Sequence, residues 1–534
     1  MDMSAEQTAA FGAQAGPSGE PKGSSGLGDK VIRNIKFLFL RALLTVPLSI
    51  VVVPLVLRQI GPELYGTWAI LVALAAFTQL SDFGLGGTIS KHVAYLRASN
   101  ASKELSEVLS AALALYLGLA ITLLLVLNIV STSLLAFFVR GGNLAAVKNA
   151  FLIMTFGAAL NVLTIGSSSV LSGLQRLDLA SIFRAVASLL EAVLTIALVK
   201  AGLGLMGITS ATAFAALVNL ACQLAAIHKL LPEARYHPRA IRFGVLSELT
   251  SFSAQVFLTQ IATLVHTQLD KLLLGRFIGT AVVAVYDISA DFSNKVRAVP
   301  QLLLAPVIAA AADLDARQNL QSLWELYARA HKYLAALGAP ILLFTLAVAP
   351  QFVSLWVGRR YDVVARGIVV LLTAHYINLT TGPGYLIQVG RGRLRPGFYS
   401  AAAGVFLNGL LSLVCIPRWG FGGALLATGT AVTLVSMLFH IWFQQDCPFR
   451  IWPVLRSAYA KPLLLAMILG VGVGAANRFL AASWSVLVLE SVLYFCAYAF
   501  CIARWRFFQH NELVEFQRHF PLLRMARRMI RVAE

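Results

Sequence analysis

Long apolar runs separated by short polar segments fill the chain from residue 36 onwards. A helix that crosses the hydrocarbon core of a bilayer needs roughly 20 mostly apolar residues, and fourteen runs approach or reach that length. They lie at residues 36–57, 65–86, 108–137, 149–173, 181–200, 204–228, 251–274, 281–309, 333–357, 363–388, 398–416, 420–444, 460–479 and 483–504. Runs seven and eight are the least hydrophobic. Run ten contains Thr-Thr-Gly-Pro-Gly, so thirteen spans is the alternative count.

Many of these runs are apolar on every face, as in VPLSIVVVPLVL. This is typical of helices with lipid or protein on all sides, and the alternating ten-residue pattern of a membrane β-barrel is absent. Of the 534 residues, 58% are hydrophobic and 13% charged, about half the charged share of a soluble protein. We therefore predict an all-α polytopic membrane protein with about fourteen transmembrane helices.

Lys and Arg residues concentrate in the loops after even-numbered spans, which predicts that these loops are cytoplasmic. An even span count places both termini on the same side. The loop after span nine is an exception, with Arg359, Arg360 and Arg366. The net charge of +19 is thereby explained by topology, and the scatter of basic residues argues against a nucleic-acid partner. The even-numbered loops carry Lys91, Arg97, Lys103, Lys229, Arg235, Arg239, Arg242, Arg391, Arg393 and Arg395.

The pattern divides the chain into six segments. Residues 1–33 are predicted to be a disordered cytoplasmic tail, and 34–230 an N-terminal six-helix bundle. Residues 231–250 form a basic cytoplasmic linker, 251–446 a C-terminal six-helix bundle, and 447–504 two additional transmembrane helices. The basic tail at 505–534 is predicted to lie along anionic membrane lipids as an amphipathic helix, with a solvated tail as the alternative.

A short motif recurs 218 positions along the chain. RQIGPELYGTW at 58–68 and RFIGTAVVAVY at 276–286 share Arg, Ile and Gly, then a small residue and an aromatic one. Each copy falls in the turn between the first two helices of a six-helix bundle. Because six spans separate the copies, the bundles enter the membrane from the same side and are related by a parallel pseudo-twofold axis. Chance similarity between two glycine-containing helix starts is the alternative.

The surrounding sequence resembles bacterial polysaccharide-biosynthesis membrane proteins. The resemblance rests on LRQIGPELYGTWAILVALAAFTQLSDFGLGGTISKHVA (57–94) and on HTQLDKLLLGRFIGTAVVAVYDIS (266–289), which contains Asp-x-Leu-Leu-Leu-Gly. These proteins are the O-antigen and exopolysaccharide repeat-unit flippases of the multidrug/oligosaccharidyl-lipid/polysaccharide exporter superfamily. The resemblance implies a polyprenyl-pyrophosphate-linked oligosaccharide as substrate, and polysaccharide polymerase and chain-length regulator as further partners. It identifies no binding residue.

Ionisable residues inside membrane spans are expensive and commonly face a water-filled cavity. Cations there would neutralise a pyrophosphate or an acidic sugar. The predicted substrate-binding residues are Arg41, Lys271, Asp270, His266, Lys295 and Arg297, and the predicted ion-coupling residues are Glu191, Asp287 and Asp291.

Each of these residues also has a structural interpretation. Asp270 and Lys271 are neighbours that suit an interfacial pair, and Arg41 is close enough to its helix end to snorkel. Asp287, Asp291 and Lys295 suit an intrahelical charge ladder, while Glu191 suits a pair with Arg184. His375 and Asn378 in span ten suit hydrogen bonds between helices.

These observations predict a flippase that moves a lipid-linked oligosaccharide repeat unit across the bacterial inner membrane by alternating access. There is no phosphate-binding loop, the five cysteines lack metal or redox spacing, and no loop is long enough for a catalytic domain. We therefore predict neither an enzyme nor a cofactor or metal. The alternatives are a drug exporter of the same fold, whose cavity would be mainly acidic, and a membrane glycosyltransferase or polymerase.

Overall fold

The computed structural model describes residues 24–82, 85–139, 144–232, 254–447, 450–505 and 507–508. Side chains before residue 47 and at 254–259 are outside that description. Most of the predicted N-terminal tail, most of the 231–250 linker and almost all of the C-terminal tail therefore lie outside the described residues. Within them the chain is all-α, as predicted, and no strand occurs.

Fifteen α-helices and three short 3₁₀ turns are described. The helices are α1 (Ser24–Ala76), α2 (Leu85–Ala98), α3 (Ser102–Phe138), α4 (Leu144–Gly173), α5 (Leu177–Lys200), α6 (Gly204–Leu230), α7 (Ala254–Phe277), α8 (Thr280–Gln301), α9 (Val307–Ala316), α10 (Leu320–Trp356), α11 (Val363–Leu379), α12 (Gly382–Gly390), α13 (Arg395–Gln445), α14 (Ile451–Ala476) and α15 (Trp484–Arg504). The 3₁₀ turns are Phe77–Asp82, Leu302–Leu304 and Arg359–Tyr361.

Among the described residues, ten helices are long and apolar enough to cross a membrane, or eleven if the bent pair α11–α12 is one span. The number falls from fourteen to eleven for two structural reasons, and to ten when the bent pair is not counted. Helices α1 and α13 each contain two predicted spans, joined through a bend at Gly61 and Gly420 respectively. Helix α7, which coincides with the predicted seventh span, is too polar to be counted. The 40° bend between α11 and α12 falls at the predicted break in span ten.

The two copies of the repeated motif adopt the same backbone conformation at their glycine. Gly61 has φ 79° and ψ 169°, and Gly279 has φ 135° and ψ 166°. This region of backbone space is accessible essentially only to glycine. The prediction that each copy forms the turn between the first two helices of its bundle is therefore confirmed.

Equivalent positions of the two copies also contact each other. A Cβ atom placed on Gly66 would collide with the carbonyl group of Thr280 and would lie 3.1 Å from the backbone nitrogen of Ala284. Ala284 is the residue 218 positions after Gly66. Contact between equivalent residues is what a twofold relation produces near its axis, so this packing supports the predicted symmetry.

The end of the molecule that carries the turns after odd-numbered spans, here the odd-turn end, has one core shared by both bundles. Ile70 and Phe151 of the N-terminal bundle (α1–α6) pack in the same cluster as Leu274 and Val283 of the C-terminal bundle (α7–α13). Arg276 lies over the ring of Phe137, 4.7 Å from its centroid. The two bundles are therefore held together at this end by apolar burial.

The opposite end, here the even-loop end, is organised differently. The apolar core of the N-terminal bundle at this end includes Ile89, Leu109 and Tyr116. All of its described members belong to that bundle. The largest cluster does join the two bundles, but its N-terminal members lie near the turns at Gly61 and Gly202. Among the described residues, then, no apolar cluster joins the bundles at the even-loop end.

Candidate functional site

Helices α7 and α8, which lie before and after the turn at Gly279 of the second bundle, carry most of the predicted site. Lys271 Nζ lies 2.7 Å from Asp287 Oδ1, and each side chain is about nine-tenths buried. The hydroxyl of Tyr65, from the N-terminal bundle, faces the same Asp287 carboxylate. Two residues predicted for different roles, substrate binding and ion coupling, are therefore partners in one buried ion pair.

Asp270 faces away from that pair, although it is the neighbour of Lys271 in sequence. Its Oδ1 accepts a hydrogen bond from Ser412 Oγ at 2.6 Å, and its Oδ2 accepts one from Tyr286 Oη at 2.6 Å and another from Thr428. The residue is fully buried, and among the described residues no Lys or Arg pairs with it. The interpretation of Asp270 and Lys271 as an interfacial pair is therefore wrong, because successive helical residues point about 100° apart.

The bend in α13 creates the shell around Asp270. At Gly420 the backbone adopts φ 53° and ψ −125°, and Gly423 approaches the Cys415 carbonyl too closely for any Cβ atom. The bend brings Asn408, which precedes it, within 3.2 Å of Thr428, which follows it. Asn408 Oδ1 is buried and has no hydrogen-bond partner among the described residues. Sequence reasoning missed this oxygen-rich shell, since isolated Ser, Thr and Asn residues are ordinary in membrane spans.

A second polar cluster lies beside the first, between α7, α8 and α11. The rings of His266 and His375 meet edge to face, with centroids 6.5 Å apart. Arg297 donates from Nη1 to Asn378 Oδ1 at 3.4 Å, and Asn378 in turn donates to Ser436 at 3.2 Å. The structure thus shows the helix–helix hydrogen bonding that span ten suggested.

Two groups in this second cluster have unused hydrogen-bonding capacity. Arg297 Nε and His375 Nδ1 are buried without a partner, and Arg297 forms no ion pair with a described carboxylate. A buried guanidinium without a counter-charge is costly unless an anion or water reaches it. Predicted residues His266 and Arg297 therefore lie together, with His375 and Asn378 as neighbours.

Asp291 and Lys295 form an ion pair one turn apart on α8, and both are partly exposed. This is part of the intrahelical ladder considered from sequence. Asp287 does not take part in it, because its carboxylate pairs with Lys271. Lys295 and Arg297 are therefore in different environments, even though only one residue separates them.

The two remaining predicted residues belong to the N-terminal bundle. Glu191 Oε1 accepts a hydrogen bond from Thr212 Oγ1 at 2.7 Å, so the partner suggested from sequence, Arg184, is not the one found. Arg41 lies within α1, and its side chain is outside the described residues. The structure does not bring Glu191 into contact with the charged residues of α7 and α8.

A polar group of the N-terminal bundle was not singled out from the sequence. Asp82, where the second span breaks, accepts hydrogen bonds from Tyr116 Oη at 2.5 Å and from the Gly86 amide at 3.3 Å. Asp82 lies in the stretch that carries the family resemblance, and its structural role was overlooked there. The hydrogen bond that it accepts from the Gly86 amide stabilises the start of α2. Within the described ranges, no three His, Cys, Asp or Glu side chains converge as a metal site.

Comparison with known proteins now adds to the geometry. The profile of the family described as polysaccharide biosynthesis protein matches residues 31–312, more than half of the chain. The chain belongs to this family. The putative O-antigen transporter of Shigella flexneri is 20% identical over 399 residues, which cover 73% of this chain and 92% of that protein.

A second relative matches over a shorter region. The teichuronic acid biosynthesis protein TuaB of Bacillus subtilis (strain 168) is 21% identical over 209 residues, or 38% of this chain. The chain spans only 41% of that protein's length. Two relatives, one named for O-antigen transport and one for teichuronic acid biosynthesis, thus match different extents of the chain.

Solved structures share the fold at low sequence identity. The lipid II flippase MurJ, in an inward closed conformation, superposes with a TM-score of 0.69 at 13% identity, covering 88% of this chain and 99% of that one. An inward-facing multidrug resistance transporter of the MATE family gives 0.63 at 15% identity, covering 75% and 94%. The chain therefore shares the fold of these two solved proteins, and it is a multi-pass membrane protein.

Proposed function

We propose that this protein flips a lipid-linked oligosaccharide repeat unit across the bacterial inner membrane, for O-antigen, capsule or exopolysaccharide synthesis. Family membership and the names of the two relatives support a polysaccharide substrate. The fold supports transport by two bundles that move against each other. The polyprenyl tail would remain in lipid while the sugar head crosses between the bundles.

The apolar core that both bundles share at the odd-turn end, and that the described residues do not form at the even-loop end, is the observation that carries this proposal. Such an arrangement keeps the odd-turn end shut and leaves the even-loop end free of an apolar seal between the described parts of the bundles. The Lys and Arg distribution assigns the even-loop end to the cytoplasm, where the lipid-linked sugar is assembled. The head group therefore enters from the side of synthesis, and both termini are cytoplasmic.

Within this scheme, the diphosphate of the substrate is held by the second polar cluster. Arg297 has an unused Nε and no described carboxylate partner, and His266 and His375 lie next to it. A guanidinium is well suited to phosphate because its donors match the oxygen geometry. Lys271 forms an ion pair with Asp287, and Lys295 forms one with Asp291. These lysines therefore bind substrate only after their ion pairs separate. Arg41 adds a cation from the first bundle.

Asp270 is the best-placed group for ion coupling. It is a buried carboxylate that accepts hydrogen bonds from three hydroxyl groups, and hard cations prefer oxygen ligands. A proton or a sodium ion bound there would neutralise the carboxylate and change its hydrogen bonds with Ser412 and Thr428 of α13. Asp287 and Asp291 already have lysine partners, so they rank behind Asp270, and Glu191 in the other bundle also ranks behind it.

Deletion of the gene followed by lipid analysis tests the flippase directly. We expect lipid-linked repeat units to accumulate on the inner face of the membrane and surface polymer to disappear until the wild-type chain is restored. Normal polymer output in the deletion strain would contradict the proposal.

The MATE likeness makes drug export the second candidate, so the same strain should be compared for sensitivity to cationic drugs. A change in drug sensitivity without loss of polymer would favour export.

Interactions with a polysaccharide polymerase and a chain-length regulator are part of the same proposal. They follow from the need to pass each flipped unit to polymerisation on the far side. Anionic lipids around the even-loop end are further expected partners, because the loops there are rich in Lys and Arg.

A further inference from the structure

A second group of buried polar atoms lies away from α7 and α8, where the C-terminal bundle meets the helix pair α14–α15. Four residues here each have an atom with almost no exposed surface and no hydrogen-bond partner in the described part of the chain: Tyr327 Oη, His331 Nε2, Tyr376 Oη and Tyr498 Oη. His440 Nδ1 is a fifth such atom. Unsatisfied buried polar atoms are rare in folded proteins, so five in one region require an explanation.

Ring contacts and electrostatic interactions join these residues into one cluster, here the Tyr–His chamber. The rings of Tyr327 and His331 have centroids 4.4 Å apart, and His331 Nδ1 lies 3.2 Å from Tyr459 Oη. The ring of Tyr459 is in turn 6.2 Å from that of Tyr376. Electrostatic interaction links Tyr376 with Tyr498. The side chains that carry the orphan atoms therefore form one contiguous cluster.

The lining of the chamber is polar but uncharged. Its members are phenols and imidazoles, and none forms an ion pair with a described residue. Each of the named side chains is at most 9% exposed, so a bulky ligand has no route to it in this state. A small, neutral molecule that both donates and accepts hydrogen bonds satisfies every orphan atom, and water is the molecule with those properties.

We propose that the Tyr–His chamber binds a cluster of internal water molecules. The cluster satisfies the five orphan atoms and connects α10, α11 and α13 to the additional helices α14 and α15. It lies beside the break in span ten, where Thr380 Oγ1 and His440 Nε2 are 2.9 Å apart. The chamber is thus a hydrated joint between the C-terminal bundle and the helix pair, independent of whether the protein flips lipid-linked sugars.

Radiolytic hydroxyl labelling of the full chain in lipid nanodiscs tests this proposal. Hydroxyl radicals form where water is bound, so buried residues next to internal water are oxidised, whereas residues in a dry core are not. We expect Tyr327, Tyr376 and Tyr498 to be oxidised several-fold faster than Tyr494 and Phe344. These two controls are equally buried and lie in an aromatic cluster on α10 and α15 without an orphan atom. Equal rates in both groups would overturn the proposal.

The sign of a change in melting temperature gives a second, independent test. In a hydrated chamber, Tyr376→Phe and Tyr498→Phe remove hydrogen bonds to water and lower the Tm. In a dry chamber the same changes remove an unsatisfied hydroxyl and raise it. Tyr494→Phe calibrates the measurement, because that hydroxyl donates to the Ala466 carbonyl at 3.1 Å and its loss lowers the Tm in either case. An unchanged or raised Tm in the first two variants would contradict the water cluster.

Discussion

The first helical hairpin of each bundle has the same turn but a different interior. Counting 218 positions back from Asp270, Lys271 and Asp287 gives Val52, Val53 and Ala69. Val53 and Ala69 are buried in apolar clusters, whereas their counterparts form a buried ion pair. The backbone of the repeat is therefore compatible with either interior.

This difference shows that the residues that determine the fold are not the residues that form the candidate site. The glycine turn and the small residue at position 66 or 284 are shared, and they decide how the hairpins bend and meet. The charges occur in one copy only, where helices α8 and α13 provide partners for them. In the proposed transport cycle, both bundles would move and the second bundle would carry these charged groups.

The largest effect is expected from breaking the buried ion pair on one side. Changing Lys271→Val or Asp287→Ala alone leaves an unpaired buried charge, which costs about 3–5 kcal/mol. Making both changes together gives the second hairpin the residues of the first, and should restore most of the lost stability. Thermal unfolding of purified protein in nanodiscs measures this. A double variant as unstable as the sum of the single variants would show that the two interiors are not interchangeable.

A smaller but sizeable effect is expected at the contact between the hairpins. In Gly66→Ala the new Cβ meets the Thr280 backbone, and overpacking of this kind costs roughly 1–3 kcal/mol. The strain acts on the closed odd-turn end and should favour its opening. Spin-label distances across that end are expected to lengthen. Gly118→Ala is the matched control, since nothing lies within 4 Å of a Cβ at that helical glycine; identical distances in the two variants would contradict the proposed contact.

Neutralising Asp270 should affect transport more than folding. Asp270→Asn retains the shape and removes the charge, with an amide nitrogen that donates where a carboxylate oxygen accepted, and Asp270→Val copies the first hairpin. We expect polymer output to fall on the order of tenfold, equivalent to about 1.4 kcal/mol, with the Asn variant at normal abundance in the membrane. Full output with Asn would remove Asp270 from ion coupling. Loss of protein with Val alone would show that the hydroxyl shell needs a polar partner.

The smallest effect is expected at Asp291 and Lys295. Their pair is partly exposed, and such pairs contribute about 0–1 kcal/mol. Removing both charges with Asp291→Asn and Lys295→Gln should leave the Tm within measurement error. Polymer output then reports whether Lys295 contacts substrate, since stability is held constant. A large fall in Tm would mean that this pair is as buried as that of Lys271.

The order of the helices was predictable because each apolar run is much longer than the few residues by which a predicted helix boundary can be wrong. The two helix bends at Gly61 and in span ten also followed from local sequence, since glycine and proline act through the backbone near them. The predicted gap between spans eleven and twelve, residues 417–419, lies next to the bend at Gly420, but neither the bend nor its consequence was predicted. The bend aligns Asn408 and Ser412 with Thr428, which no local pattern reveals.

The candidate site was predictable only as a list of residues. His266, Arg297, Lys271 and Asp287 were recognised because charge is rare inside a membrane. Their partners were assigned less well: Asp270 was paired with Lys271 as one interpretation, and Glu191 with Arg184. Both assignments assumed nearness along the chain, while the structure pairs Asp270 with residues 142 and 158 positions away.

By itself, the sequence determined the membrane-spanning character, the division into two related bundles and the glycine turn that begins each of them. Apolar length and backbone freedom are local properties, so they can be read from neighbouring residues. Tertiary structure alone decided which charges are paired. Side chains of adjacent helical residues diverge by about 100°, and the helix that packs against each face then determines whether it meets a lysine, a hydroxyl or water.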